Sequence, residues 1–123
     1  MADRHTIIQT QVITDWSVTR RGRLFICTQG TFRAMHSDAV ITVCPYPKKR
    51  NGFPDLYGWE YDTRYVKPVP VFCMIEVKTR KYSKLTQEQK NHLNYCVSIG
   101  GKAYVAREVD SGYDLVEWRG GGE

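Results

Sequence analysis

No segment of this 123-residue chain is long and apolar enough to cross a bilayer as a helix. The central uncharged run, Pro68 to Ile75, falls far short of the ~20 apolar residues that a span needs. The opening residues, Met1-Ala2-Asp3-Arg4-His5, lack the cationic stretch and apolar segment of a secretory leader. Cysteine is scarce and scattered: Cys27, Cys44, Cys73 and Cys96 include no CxxC pair, so the spacing of a structural zinc site is missing. Cys73 and Cys96 fall in apolar periodic segments and read as small buried hydrophobes with reduced thiols. None of the four is placed to be a nucleophile. These absences lead to the expectation of a soluble cytoplasmic protein. No internal repeat is present, and a chain of this length cannot support two independent cores. The expectation is one domain over residues 1–119, with a flexible tail at 120–123 built on Gly120-Gly121-Gly122.

Acidic residues are the minority. Thirteen Asp and Glu face eighteen Lys and Arg, a formal net charge of +5, which suits a polyanionic partner such as nucleic acid. The basic residues cluster at Arg20-Arg21-Gly22-Arg23, at Lys48-Lys49-Arg50, and at Arg80-Lys81 with Lys84. Each cluster reads as a loop or the end of an element, where it is either solvated surface or a phosphate contact.

Ile8, Val12 and Trp16 recur at four-residue spacing, with Ile13 beside them, and predict an amphipathic helix over residues 4–18. His5 and Gln9 flank that apolar stripe. Leu24 to Thr28 and Phe32 to Met35 read as short strands around a Gln29-Gly30 turn, and Ala39 to Cys44 as a third. Pro45 to Pro54 holds three prolines and reads as a loop. Pro54 to Trp59 enters a strand, and Glu60 to Pro70 reads as a polar connection. Val71 to Thr79 is a strand with Val71, Cys73, Ile75 and Val77 on one face, and Phe72, Met74, Glu76 and Lys78 on the other. Thr86, with Gln89 three residues on, has the spacing of a capping box. Leu93, Cys96 and Val97 form the apolar side of the helix that follows, and Gly100-Gly101 ends it. Gln89 lies on the inward side of that helix. Lys102 to Arg107 is a strand, so a parallel crossover is expected, and Tyr113 to Trp118 is a final strand.

Glu76 and Lys78 emerge side by side, and Asp55 begins the preceding strand. If the two strands are neighbours, two carboxylates and an ammonium converge, a set that can hold a hard divalent cation and activate water. A Glu and a Lys two apart on a strand also make an ordinary surface ion pair. The capping box alone explains Gln89 as well as catalysis does. Tyr57, Trp59, Tyr61 and Tyr65 read as core and rim aromatics, one of which could stack on an exposed base.

Pro54-Asp55, twenty intervening residues, then Glu76-Val77-Lys78 is the pattern of the PD-(D/E)XK nuclease superfamily. With its flanks, Gly52 to Leu56, Met74 to Thr79, Leu85 to Gln89 and Gly100 to Val105, the chain resembles the virus-type replication-repair nuclease (VRR-NUC) family from about residue 5 to about residue 107. The resemblance implies an α/β, restriction-endonuclease-like core of order αβββαβ, with a central mixed sheet flanked by helices. It implies a structure-selective endodeoxyribonuclease using Mg²⁺ or Mn²⁺. Holliday-junction resolution leads, with a flap or end-processing nuclease or a non-catalytic DNA-binding module as alternatives. Stand-alone members of this size are often phage-encoded, which would make the location a host cytoplasm. The implied metal ligands are Asp55, Glu76 and the Val77 backbone carbonyl, with Lys78 beside the attacking water and Gln89 reaching in from the helix. The family's first helix normally carries a glutamate with a glutamine four residues later. His5 and Gln9 stand at those positions, so His5 is either a helix-end surface histidine or a substitute nitrogen ligand, with Gln9 in support. Paired cuts on a four-way junction need two sites, so a homodimer is expected, with Leu24 to Tyr46 as the expected dimer surface. The DNA-contacting candidates are Arg20, Arg21, Arg23, Lys48, Lys49, Arg50, Arg80, Lys81 and Lys84.

Overall fold

A computed structural model describes residues 3–26, 30–33, 40–43, 54–62, 64, 66–79 and 83–120. Helix α1 spans Arg4–Thr19. Its start is set by Asp3, whose Oδ1 accepts from the Thr6 amide at 2.8 Å, satisfying a first-turn donor that has no partner within the helix. Ile8, Val12 and Trp16 are all buried, as their spacing requires. The helix ends where Arg21 takes a positive φ of 54°, and the chain turns into strand β1, Arg23–Ile26.

Strands β2 (Gly30–Arg33) and β3 (Val40–Val43) pair with each other as a separate two-stranded sheet. Strands β4 (Leu56–Asp62) and β5 (Val69–Lys78), helix α2 (Gln87–Ser98), and strands β6 (Lys102–Val109) and β7 (Gly112–Trp118) complete the order. The main sheet runs β1-β4-β5-β6-β7. Every neighbouring pair is antiparallel except β5 and β6, which are parallel and joined through α2. With the β2–β3 pair set aside as an insertion, α1, β1, β4, β5, α2 and β6 give the αβββαβ order of a restriction-endonuclease-like core. The described helices include none long and apolar enough to cross a membrane.

The core splits into two layers on the two faces of β5. Cys73, Ile75 and Val77 pack with Ile8, Val12, Trp16, Leu24, Leu56 and Tyr104 under α1. Met74 packs with Leu85, Leu93, Cys96, Ala103 and Val105 under α2. The strand's two-residue period therefore feeds both layers at once. Cys73 and Cys96 are buried free thiols, and burial pushes both thiols up, Cys96 to about 11. Neither is a nucleophile at neutral pH. Cys27 and Cys44 lie outside the described residues.

Two sequence expectations are corrected here. The Gln29-Gly30 turn would have made β1 and β2 a hairpin. Instead β1 pairs with β4, and Gly30 is the first residue of β2, opposite Val43. A Cβ on Gly58 would lie 1.9 Å from the Arg23 carbonyl oxygen, so glycine there lets β1 close on β4. The polar connection expected over Glu60 to Pro70 is also shorter, since β4 continues to Asp62 and β5 starts at Val69. Glu60 is therefore a strand residue sharing its face with Leu56, and it is buried. Its carboxylate accepts from Arg20 at 2.8 Å and from the Tyr104 hydroxyl. The Arg20 guanidinium lies 4.6 Å from the centre of the Trp16 ring, so the buried charge is both paired and covered.

Candidate active site

The end of β5 and the start of β4 meet at one edge of the two core layers. Leu56 lies opposite Ile75 in the antiparallel register, which brings Asp55 level with Glu76 and Val77. Asp55 Oδ2 accepts a hydrogen bond from the Val77 amide at 2.8 Å. The link ties the first carboxylate to the strand that carries the second.

Glu76 emerges beneath α2 and is 4% exposed. Its Oε1 accepts from Gln89 Nε2 at 3.3 Å. Its Oε2 is buried without a hydrogen-bond partner. Burial first, and then the adjacent Asp55 charge, push its carboxyl up to about 10, with Lys78 only partly opposing them. A carboxyl in this setting is neutral at pH 7 unless a cation arrives to hold its anion.

Gln89 is the hub of the site. Its Oε1 accepts from Lys78 Nζ at 2.9 Å and from the Thr86 amide at 2.9 Å, and its own amide donates to Thr86 Oγ1 at 3.1 Å. The capping box and the inward contact are thus the same side chain seen from two directions. His5, from the first turn of α1, places Nε2 3.4 Å from Asp55 Oδ2. These groups line a cleft of about 390 Å³, together with Val77, Thr79 and Ser83.

The donor set suits a hard divalent cation. It offers two neighbouring carboxylates, one with a free buried oxygen, and Val77 lines the same cleft with its amide on Asp55. Among the described residues no cluster of three or more His, Cys, Asp and Glu side chains forms a metal site, so a bound ion would also draw on a backbone carbonyl, substrate or water.

The structure brings Asp55, Glu76, Val77, Lys78, Gln89 and His5 together. Gln9 is buried on α1 and is not among the cleft-lining residues. Arg20 is engaged with Glu60, whereas Arg21, Arg23 and Lys84 are exposed. Lys48, Lys49, Arg50, Arg80 and Lys81 lie outside the described residues, as does most of Leu24 to Tyr46. Thr79 and Ser83 escaped sequence reasoning. Thr79 could have been found by following the strand one residue past Lys78, but Ser83 had no signal.

A family model described as the VRR-NUC domain matches residues 10–110. That span contains Asp55, Glu76, Lys78 and Gln89 and begins after His5. A search of curated proteins finds no significant match.

Proposed function

The chain belongs to the VRR-NUC domain family, nucleases of the PD-(D/E)XK type, and on that premise we propose that it is a divalent-metal-dependent, structure-selective DNA endonuclease working from the Asp55–Glu76–Lys78 cleft. The observation that carries this reading is the Glu76 carboxyl, buried beside a second carboxylate with one oxygen unpartnered. A group so costly to bury is explained by a cation that it exists to bind.

Asp55, Glu76 and the Val77 carbonyl would hold the ion. When bound, a divalent cation supplies Lewis-acid stabilisation of charge on the phosphate and makes a water acidic enough to attack at neutral pH. Lys78 brings an ammonium to the same cleft, where it orients the attacking water and offsets negative charge developing on phosphorus. Gln89 holds that ammonium through its carbonyl and Glu76 through its amide nitrogen, so it is a positioning residue. His5 adds a nitrogen donor beside Asp55, in the first-helix position where the family pattern has a carboxylate. Arg21, Arg23 and Lys84, with the Lys48-Lys49-Arg50 and Arg80-Lys81 segments, supply phosphate contacts.

For substrate, the Holliday junction leads. Its resolution takes two symmetric cuts and one chain carries one Asp55–Glu76–Lys78 set, so the working unit is a homodimer. The His5 substitution favours a second reading, a non-catalytic DNA-binding module of the same fold. Incubation with labelled junction, flap and linear DNA in Mg²⁺ or Mn²⁺ tests both. Paired cuts at the junction support the resolvase. Cuts confined to flaps or ends replace it with a processing nuclease, and metal-independent binding without cleavage supports the module.

A further inference from the structure

Beside the cleft, the sheet carries a set of aromatic rings that the metal chemistry does not use. Phe25 lies opposite Tyr57, and Arg23 opposite Trp59. Tyr57 in turn lies opposite Met74, and Trp59 opposite Phe72. Directly opposed residues share a face, and alternation along β5 puts Phe72, Met74 and Glu76 on that same face. The α2 helix lies over β5, β6 and β7, and Phe25, Tyr57 and Phe72 are 45%, 38% and 40% exposed.

The rings do not stack on one another. Phe25 stands 6.0 Å from Tyr57 at an interplanar angle of 39°, and 5.7 Å from Trp59 at 46°. Tyr57 follows Asp55 by two residues, roughly 7 Å along an extended chain. Exposed Arg23 shares the row of Trp59, and the chain carries a net charge of +5. An exposed aromatic patch that begins two residues along the chain from Asp55, and is flanked by a cation, is matched to nucleotides rather than to a neutral protein surface.

We propose that Phe25, Tyr57 and Trp59 form a stacking platform for unpaired bases of the DNA substrate, and that it directs cleavage to phosphates next to unpaired nucleotides. The proposal rests on the nuclease reading. Within a duplex both faces of each base are covered by its neighbours, so only an unpaired or extruded base can stack on a protein ring. The platform therefore selects junction cores, flaps and single strands over continuous duplex.

Binding is measured without metal, in EDTA, so that no strand is cut. Wild type, Phe25→Ala, Phe25→Leu and Tyr57→Leu are titrated with labelled oligo-dT and with a duplex of equal phosphate number at one salt concentration. The ratio of single-strand to duplex affinity should fall about tenfold or more in each variant, the scale of one lost base–ring stack. Phe25→Leu keeps apolar cover and loses the ring, so it separates stacking from folding if the alanine variant is unstable. Trp16 and Trp118 are 2% and 8% exposed, so quenching of tryptophan emission by oligo-dT reports Trp59 and should vanish in Trp59→Phe. An unchanged affinity ratio overturns the platform. So does a wild-type dimer that Phe25→Ala converts to a monomer with its ratio intact, which would make the patch a contact between copies. A ratio that falls in a protein that never cleaves DNA sinks the nuclease reading alone. A cleaving enzyme with an unchanged ratio sinks the platform alone.

Discussion

Lys78 Nζ donates to Gln89 Oε1 at 2.9 Å, joining the strand that carries the candidate metal ligands to the first turn of the helix that follows it. The same oxygen accepts from the Thr86 amide. Helix capping and placement of the ammonium are therefore mechanically one feature, and two substitutions pull them apart.

Thr86→Ala removes the cap and keeps the lysine contact. It should lower stability by about 1 kcal/mol and leave kcat within a few-fold of wild type. Gln89→Ala removes the lysine contact and the bond from the Thr86 amide, and keeps the Thr86 hydroxyl on the backbone amide of residue 89. It should lower kcat about 10–100-fold, as loss of a supporting contact does at metal sites, with little change in KM. Denaturant titration and single-turnover cleavage of the two variants check the split.

Glu76 gives the metal-free protein a pH dependence of its own. Its carboxyl is raised to about 10, chiefly by burial, against an ordinary value near 4.5. Below pH ~4.5 the group is protonated folded or unfolded, and it contributes its full stability. Above that, the unfolded chain releases a proton that the folded chain keeps. Stability is then lost as pH rises toward about 10, at no more than about 1.4 kcal/mol per pH unit. Tm measured in EDTA across this range should fall in the wild type and fall less steeply in Glu76→Gln. Added Mn²⁺ should raise the wild-type Tm more at high pH than at low pH, because binding the ion expels that proton. Glu76→Gln should lose this rise.

Lys78→Met should keep the Mn²⁺-induced rise in Tm and lose cleavage by about 100-fold or more, since its contribution is made in the transition state. Calorimetry and cleavage on one preparation check the pair of outcomes.

Arg20 and Arg21 are adjacent in sequence and should behave differently. Arg20→Ala leaves the buried Glu60 carboxylate without its cation and should destabilise the fold by on the order of 2–3 kcal/mol. Arg21→Ala should leave Tm within about 1 °C and reduce the log–log salt slope of DNA binding by about 0.9, one phosphate contact.

Most of the candidate site is legible in the sequence. Asp55, Glu76 and Lys78 stand in a recognisable order, and the two-residue period of Val71 to Thr79 assigns Glu76 and Lys78 to one face. The helices were legible for the same kind of reason: Ile8, Val12 and Trp16 declare a buried stripe, and Thr86 with Gln89 declares a cap. The parallel crossover through α2 was legible too, but the partner of β1 was not. Nothing local tells Leu24 to choose Gly58 over Phe32, because that choice is made by close backbone approach at Gly58 and by the burial of Leu24 and Leu56 under α1. Glu60 was misplaced because a glutamate beside polar residues reads as loop. Its burial depends on Arg20 and Tyr104, partners that lie 40 and 44 positions away in the chain.

The most direct measurement is cleavage of a labelled four-way junction by wild type and by folded Glu76→Gln, in Mg²⁺ or Mn²⁺ and in EDTA. Wild type should cut only with metal present, and Glu76→Gln should bind the junction without cutting it. Cleavage by Glu76→Gln at the wild-type rate, or by wild type in EDTA, would contradict the assignment of this cleft.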